Sequence, residues 1–416
     1  MRLIYADAAG NFYDHPALRP AGRTGDMFVE LNREDLIALP PGSSLVLIPG
    51  GRPVGVSAGG RFSLVAEVYG SGGPACAVGA LLPQGYTRTL LPAYRRPEAG
   101  SPLPLLGYTA VAWHRGKVYA AALRTDRPRR WDPAHYNTPE LPELVEKLLA
   151  ELPGNRIARQ LSRCALEYGC FTAQNIFYAR WEGGIPVSRS CNAGCLGCIS
   201  LQPAGCCPSP QARISFTPSV EEVAELGSRH LERAGEAIIS FGQGCEGEPT
   251  LAGELIRNAL LEIRHKTGRG TVNINTNAGR TGALEVLCRS GLDSIRVSLI
   301  SAREEVYNAY HRPRGYGLAD VRASIRMAVE AGVYTSLNLL VLPGLTDREE
   351  EVEALVGLIR ETGVRMVQLR NLNIDPDYLF AGLPRPKGGI TGISGLIDAL
   401  GAVPGLEVGN FSRPVR

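Results

Sequence analysis

Three cysteines stand close together in the middle of the chain and could jointly bind a metal cluster. The run Cys-Asn-Ala-Gly-Cys-Leu-Gly-Cys places Cys191, Cys195 and Cys198 on one short segment. Three thiolates so arranged can bind three irons of a cubic iron–sulfur cluster and leave the fourth iron without a protein ligand. Zinc is the alternative, because Cys195 and Cys198 have zinc-ligand spacing and Cys206 or Cys207 could complete a set of four ligands.

Most of the other cysteines lie near this motif. The chain has ten cysteines, and nine of them fall between residues 164 and 288. The first residues, Met1 to Asp7, lack the apolar core of a signal peptide, so we expect a cytoplasmic protein with reduced thiols. Five further cysteines could bind an auxiliary iron–sulfur cluster, and the alternative is that each is a small buried apolar residue. These five are Cys164, Cys170, Cys206, Cys207 and Cys245.

The elements that position these cysteines begin at about residue 184. Apolar runs predict six strands, at 185–188, 237–241, 272–275, 294–299, 335–341 and 366–370. Amphipathic segments separate them, and the first helix should begin at Thr217-Pro218, an N-cap followed by proline. Alternating strands and helices predict an α/β fold, a partial (β/α)6 parallel barrel. In such barrels the functional residues follow the C-terminal ends of the strands.

The rest of the chain has no motif that indicates chemistry. Short strand-like runs between prolines and glycines predict a small β-rich domain at 1–150, of unknown role. We expect a linker helix and connecting segment at 151–183, the barrel at 184–375, and a C-terminal extension at 376–416. No apolar run is long enough to span a membrane. The net charge of +3 does not indicate DNA binding.

The cysteine motif, placed directly after the first strand of a β/α array, resembles that of the radical SAM superfamily; no subfamily is indicated. The resemblance implies a 4Fe-4S cluster held by Cys191, Cys195 and Cys198, whose open iron binds S-adenosylmethionine (SAM). It also implies an external low-potential electron donor of the flavodoxin or ferredoxin type. Many members have an aromatic residue just before the third cysteine, where this chain has Gly197. Leu196 or Ile199 could take its place.

Weaker matches to the same family follow the later strands. The Gly247-Glu248-Pro249 element resembles the family's GGEP element, which binds the amino group of SAM. Further positions correspond to contacts with the ribose, the carboxylate and the adenine of SAM. The cofactor-binding residues implied by the resemblance are Gly247, Glu248, Pro249, Asn275, Thr276, Asn277, Ser298, Asn338 and Gly344.

The resemblance implies reductive cleavage of SAM to methionine and a 5′-deoxyadenosyl radical, which abstracts hydrogen from a substrate. That substrate is a small molecule, or a protein or peptide. Candidate substrate or catalytic residues are Cys245, Arg370, Asn373 and Asp375, although Arg370 and Asp375 could instead form an ion pair. Two other functions stay open. One is RNA modification, for which the only hint is that just four of the 44 basic residues are lysines. The other is a non-enzymatic zinc or iron–sulfur module.

Overall fold

The computed structural model describes residues 1–70, 72–96, 100–127, 129–202 and 207–416. Within these residues the N-terminal part contains fifteen short strands. They are β1 (Arg2–Ala6), β2 (Phe12–Asp14), β3 (Arg19–Thr24), β4 (Met27–Glu30), β5 (Ile37–Ala38), β6 (Ser44–Leu47), β7 (Arg52–Val56), β8 (Phe62–Leu64), β9 (Cys76–Leu81), β10 (Tyr86–Arg88), β11 (Leu91–Pro92), β12 (Tyr94–Arg95), β13 (Val111–His114), β14 (Lys117–Ala120) and β15 (Ala122–Arg124).

These strands pair antiparallel in two sheets and a ribbon. One sheet has the order β5-β14-β13-β1-β9-β6, with β2 against β1. The other has the order β11-β3-β7-β12, with β4 against β3 and β8 against β7. The ribbon consists of β10 and β15. Several small apolar clusters lie between the strands, as expected where strands are short and turns frequent.

The remainder of the chain alternates between helices and parallel strands. The helices are α1 (Leu141–Glu151), α2 (Arg156–Leu166), α3 (Phe171–Tyr178), α4 (Val220–Arg233), α5 (Gly253–Lys266), α6 (Thr281–Arg289), α7 (Glu304–His311), α8 (Leu318–Glu330), α9 (Glu349–Thr362), α10 (Pro376–Ala381) and α11 (Gly392–Gly401). The strands are β16 (Glu182–Gly184), β17 (Ile238–Phe241), β18 (Thr271–Thr276), β19 (Ser294–Leu299), β20 (Tyr334–Val341), β21 (Met366–Asn371) and β22 (Glu407–Gly409). Short 3-10 helices occupy Arg33–Asp35, Arg129–Trp131, Pro133–His135 and Pro249–Ala252.

The parallel strands form one open sheet in sequential order, from β16 to β22. The α/β class is confirmed. Within the described residues, however, the sheet has seven strands where the sequence predicted six. The additional strand, β22, has only three residues, which is too short to produce a recognisable pattern of apolar residues.

Two element boundaries differ from the predicted ones. The first strand ends at Gly184 instead of spanning 185–188, because Pro186 has no N–H to continue the ladder and the next two N–H groups bind the Glu246 side chain. Helix α4 is capped by Ser219 and not by Thr217. The Ser219 hydroxyl accepts from the N–H of Glu222, whose carboxylate accepts in return from the N–H of Ser219.

Side chains alternate along the parallel strands between an apolar outer face and a polar inner face. Outward residues such as Ile274 and Val297 are fully buried in the main core against the helices. The inner face is polar instead of filled with aliphatic residues. There the Arg296 guanidinium lies 3.1 Å from the Glu182 carboxylate and donates to the side chains of Asn275 and Gln368. The sheet therefore keeps a hydrophilic interior in which a polar ligand can bind.

The N-terminal sheets are joined to the open end of the parallel sheet by Arg88, which is fully buried. Its guanidinium donates to the carbonyl oxygens of Leu372 at 2.5 Å, Val341 at 3.3 Å and Tyr108 at 3.4 Å. Burial lowers the pKa of Arg88 to about 9. Its backbone N–H also donates to Asn371. One buried cation therefore links both units of the chain.

No helix within the described residues is long and apolar enough to cross a membrane.

Replacing Arg88 with alanine should lower the free energy of unfolding by about 3 kcal/mol, since the carbonyl oxygens of Tyr108 and Leu372 lose their hydrogen-bond donor inside the protein. Urea denaturation measures this change. Arg61→Ala, at an exposed position of the same N-terminal unit, is the control and should leave the midpoint unchanged. Equal midpoints for the two variants would contradict the proposed role of Arg88.

Candidate active site

A cavity of about 710 Å³ opens where the parallel strands end, and both units of the chain line it. Leu82, Pro83, Gln84 and Tyr86 of the N-terminal unit contribute one wall. The cavity brings together most of the residues singled out in the sequence. Those in its wall are Cys191, Cys195, Cys198, Gly247, Glu248, Asn275, Thr276, Asn277, Ser298, Asn338, Arg370 and Asn373.

The cysteine loop has no helix or strand of its own, so its neighbours hold it through backbone hydrogen bonds. The end of α7 accepts two of them: Gly194 N–H donates to His311 at 3.0 Å and Leu196 N–H to Tyr310 at 3.1 Å. The N–H of Arg314 donates to the carbonyl of Asn192, and the Arg314 guanidinium donates to the carbonyl of Ala193. The cysteines are thus attached to the segment after the fourth strand of the parallel sheet.

A buried carboxylate, that of Glu246, attaches the start of the same loop to the second strand. It accepts from the N–H groups of Val187 at 2.8 Å and Ser188 at 2.9 Å, and also from Gly242. Burial raises the pKa of Glu246 to about 8, against the opposing effect of these N–H donors. Nothing in the sequence pattern identified Glu246, since its role depends on folding two distant backbone segments around one side chain.

Gly247 continues this attachment as a short parallel pairing of backbone. Its N–H donates to the carbonyl of Ser188 at 2.7 Å, and the N–H of Glu248 donates to that of Ser190 at 2.8 Å. A Cβ at position 247 would lie 2.0 Å from the carbonyl oxygen of Ser190. Glycine is therefore required here by the close approach of two backbones.

The Glu248 carboxylate is buried and already holds several donors. It accepts from the N–H and hydroxyl of Thr250, from the hydroxyl of Thr276, and from the N–H of Asn277 at 2.8 Å. Burial raises its pKa against the effect of these donors. One of its oxygens, Oε2, accepts only from Asn277 and keeps capacity for a further donor such as an ammonium group.

Burial favours the neutral thiol at Cys191 and Cys195. Burial raises the pKa of Cys191 and, more strongly, that of Cys195. The Cys195 Sγ lies 3.4 Å from Nδ1 of His311, whose pKa burial lowers to about 3. Arg213 donates to the Cys198 Sγ at 3.6 Å and so brings positive charge to that thiol. Deprotonation of Cys191 and Cys195 would therefore depend on the positive charge of the irons that they bind.

Gly197, where many radical SAM proteins have an aromatic residue, lies against a tyrosine from elsewhere in the chain. A Cβ at position 197 would lie 2.7 Å from the hydroxyl oxygen of Tyr310. Tyr310 is buried at the end of α7 and lines the cavity. An aromatic side chain therefore reaches this part of the cavity from a different helix, which sequence spacing alone could not indicate.

Several predicted site residues lie outside the cavity wall. Gly344 has a φ of +84° and packs against Gly25, where a Cβ would lie 1.8 Å from the Gly25 nitrogen. Asp375 caps α10 and pairs with Arg96 at 3.1 Å, so it forms no ion pair with Arg370. Pro249 begins a 3-10 helix and does not line the cavity. Gly344 and Asp375 therefore join the two units of the chain.

The five other clustered cysteines are not all brought together. Cys164 and Cys245 are buried in the main core, where the Cys245 thiol hydrogen-bonds to Cys164 and lowers the pKa of Cys164. Cys170 packs against the same core and lines the cavity. Cys207 lies in a different apolar cluster, with Leu91 among others, and Cys206 lies outside the described residues.

The residues of the cavity fit the cluster and cofactor that the resemblance implies. Two buried atoms of the wall, Asn338 Oδ1 and His311 Nε2, have no hydrogen-bond partner there, as expected where a polar ligand supplies one.

Comparison with known families agrees with this site. Residues 185–356 match the family model of the radical SAM superfamily. The matched segment contains the three cysteines and all the cofactor-binding residues predicted from the sequence. This segment of the chain is therefore similar to the radical SAM superfamily, a class of enzymes.

The sequence similarity to a single curated protein is limited to part of both chains. The chain is 29% identical over 167 residues to a probable GTP 3′,8-cyclase of Aeropyrum pernix, which covers 40% of this chain and 44% of that protein. The chain therefore spans less than half the length of this curated relative.

Solved structures with partial similarity include anSMEcpe with bound AdoMet (20% identity, TM-score 0.35, 45% of this chain and 50% of that one). Another is HydG, a maturase of the [FeFe]-hydrogenase (18% identity, TM-score 0.38, 65% and 62%). With TM-scores below 0.5, these similarities support no conclusion about substrate.

Replacing Gly247 with alanine should strongly reduce iron binding, because the added Cβ would force the backbone at Ser190 away and move the cysteine loop. Iron content after anaerobic reconstitution measures this effect. Gly253→Ala is the matched control, since its Cβ would meet only Ala283 at an ordinary 3.6 Å. Full iron loading of Gly247→Ala would show that the two backbones can separate without disturbing the cysteines.

Proposed function

We propose that this protein is a radical SAM enzyme that cleaves SAM reductively and abstracts hydrogen from an organic substrate. The observation that carries the proposal is the shared cavity: the three thiols of the cysteine motif and the polar residues of several strand ends open into one space. When bound, SAM would supply a 5′-deoxyadenosyl radical after accepting an electron through the cluster. The electron would come from an external donor of the flavodoxin or ferredoxin type.

Different residues of the chain would bind the cluster and SAM. Cys191, Cys195 and Cys198 would hold a 4Fe-4S cluster, and the backbone near Gly247 with the free capacity of Glu248 suits the amino group of SAM. Asn275, Thr276, Asn277 and Ser298 line the same cavity and offer polar groups to the ribose and carboxylate, and Asn338 lies in the strand that would approach the adenine.

The N-terminal unit supports this function by covering the cavity. Its segment from Leu82 to Tyr86 forms one wall, and its buried Arg88 attaches that wall to the ends of β20 and β21. A covered site reduces the access of water to reactive intermediates. We propose that covering this site is the role of the β-rich unit.

Anaerobically reconstituted protein given a strong reductant should convert SAM to 5′-deoxyadenosine and methionine, measured by chromatography and mass spectrometry. A reaction without reductant is the control and should yield neither product. Iron-loaded protein that does not bind SAM and releases no 5′-deoxyadenosine would contradict the proposed function.

Alanine at any of Cys191, Cys195 or Cys198 should abolish the cofactor-binding cluster, because a cluster held by two thiolates is labile. Cys76→Ala, in β9, and Cys288→Ala, in α6, are matched controls that should leave iron content unchanged. Iron and sulfide analysis, with the brown absorbance, gives the result. Full loading of a motif variant would refute the ligand assignment.

Combining the three motif substitutions in one variant tests for an auxiliary cluster that Cys164, Cys170, Cys206, Cys207 and Cys245 could bind. If that cluster exists, the variant lacking all three motif cysteines should retain about four irons, the content of one cubic cluster. A colourless, iron-free triple variant would contradict it.

A further inference from the structure

Arg370 is a cation in the cavity wall without an acidic partner. It stands next to the end of β21, on the polar inner face of the sheet. Within the described residues its guanidinium makes one hydrogen bond, from Nη1 to the side-chain oxygen of Gln84 at 3.1 Å. No carboxylate in those residues lies within ion-pair distance of it. A guanidinium has five N–H donors, so most of its capacity stays unused.

Two carboxylates interact electrostatically with Arg370, and each of them already pairs with another arginine. Glu182 lies 3.1 Å from Arg296, and Asp126 lies 3.1 Å from Arg413. Arg296 and Glu182 together carry no net charge. Arg370 therefore has no carboxylate of its own within ion-pair distance among the described residues, because both of these carboxylates pair with other arginines.

Burial makes this arrangement costly for the protein alone. Burial lowers the pKa of Arg370 to about 10, with a further contribution from Arg296, so the group stays protonated at neutral pH. An isolated buried charge destabilises a fold unless a partner neutralises it. Groups that are unfavourable for stability but line a cavity are typical of binding sites.

The position of Arg370 is set by the joint between the two units of the chain. Its neighbour Asn371 donates to the carbonyl of Tyr86 and accepts from the N–H of Arg88. Gln84, which accepts the hydrogen bond from Arg370, is exposed and belongs to the wall that the N-terminal unit supplies. An anion at Arg370 would therefore also lie beside a side-chain amide that can donate to it.

Resting on the proposed function, we infer that Arg370, with Gln84, binds an anionic group of the substrate, a carboxylate or a phosphate. The planar guanidinium matches both groups through paired N–H donors. The substrate class is thus an organic anion that enters between the end of β21 and the segment from Leu82 to Tyr86. The N-terminal unit then contributes to specificity as well as to covering the cavity.

The test uses reconstituted protein with inorganic phosphate and acetate as probes. Binding is measured by calorimetry at constant ionic strength, with chloride as the reference salt. The wild type should bind at least one probe, and Arg370→Met should bind it at least about tenfold more weakly. Arg370→Lys should recover part of the affinity, because it restores the charge but not the paired donors. Arg360→Gln, at an exposed position of α9, is the matched control and should bind as the wild type does.

A second measurement separates binding from a structural role. Without added anion, the Tm of Arg370→Met should equal or exceed that of the wild type, since the variant removes a partly buried charge that has no ion-pair partner. Binding of phosphate alone would assign a phosphate-bearing substrate, and binding of acetate alone a carboxylate. Lack of binding by the wild type, unchanged binding by Arg370→Met, or a lowered Tm would each overturn the inference. A protein that binds the anion through Arg370 but forms no 5′-deoxyadenosine would refute the proposed function and not this site.

Discussion

The cysteine loop forms no helix or strand, and its attachment to the sheet through the Glu246 carboxylate and the Gly247 backbone determines where its thiols lie. A regular element would satisfy its own N–H and C=O groups. An irregular loop must find partners elsewhere or remain mobile. Here the Glu246 carboxylate accepts the hydrogen bonds that a neighbouring strand would otherwise accept. Gly247 allows its backbone to approach that of Ser190 closely enough to complete the pairing.

The same principle joins the two units of the chain. Arg88 satisfies carbonyl oxygens at the ends of β20 and β21, where parallel strands leave acceptors without partners. The close packing of Gly344 on Gly25 and the pairing of Asp375 with Arg96 add to this joint. As a result, residues of the N-terminal unit line the cavity. The β-rich unit is therefore part of the candidate active site.

Predictions of strand boundaries were accurate where the boundary depends only on the residues of that segment. The strands from β17 to β21 have boundaries within one residue of those expected, because alternation of apolar and polar side chains is a property of each strand. Predictions failed where tertiary contacts intervened. Pro186 and Glu246 ended the first strand early, and Asp375 took an N-terminal arginine as its partner instead of Arg370. Both of these failures involve a partner distant in sequence.

The sequence by itself determined the cysteine motif, its resemblance to the radical SAM superfamily, and the alternation of strands and helices, because these depend on residue types at short, regular spacing. Only the tertiary structure decided which polar groups share the cavity and which are already satisfied. It assigned Tyr310 to the space beside Gly197, and it separated the unpaired Arg370 from the paired Arg296. The physical reason is that hydrogen bonding and charge compensation depend on what a side chain meets across the fold, which local spacing does not record.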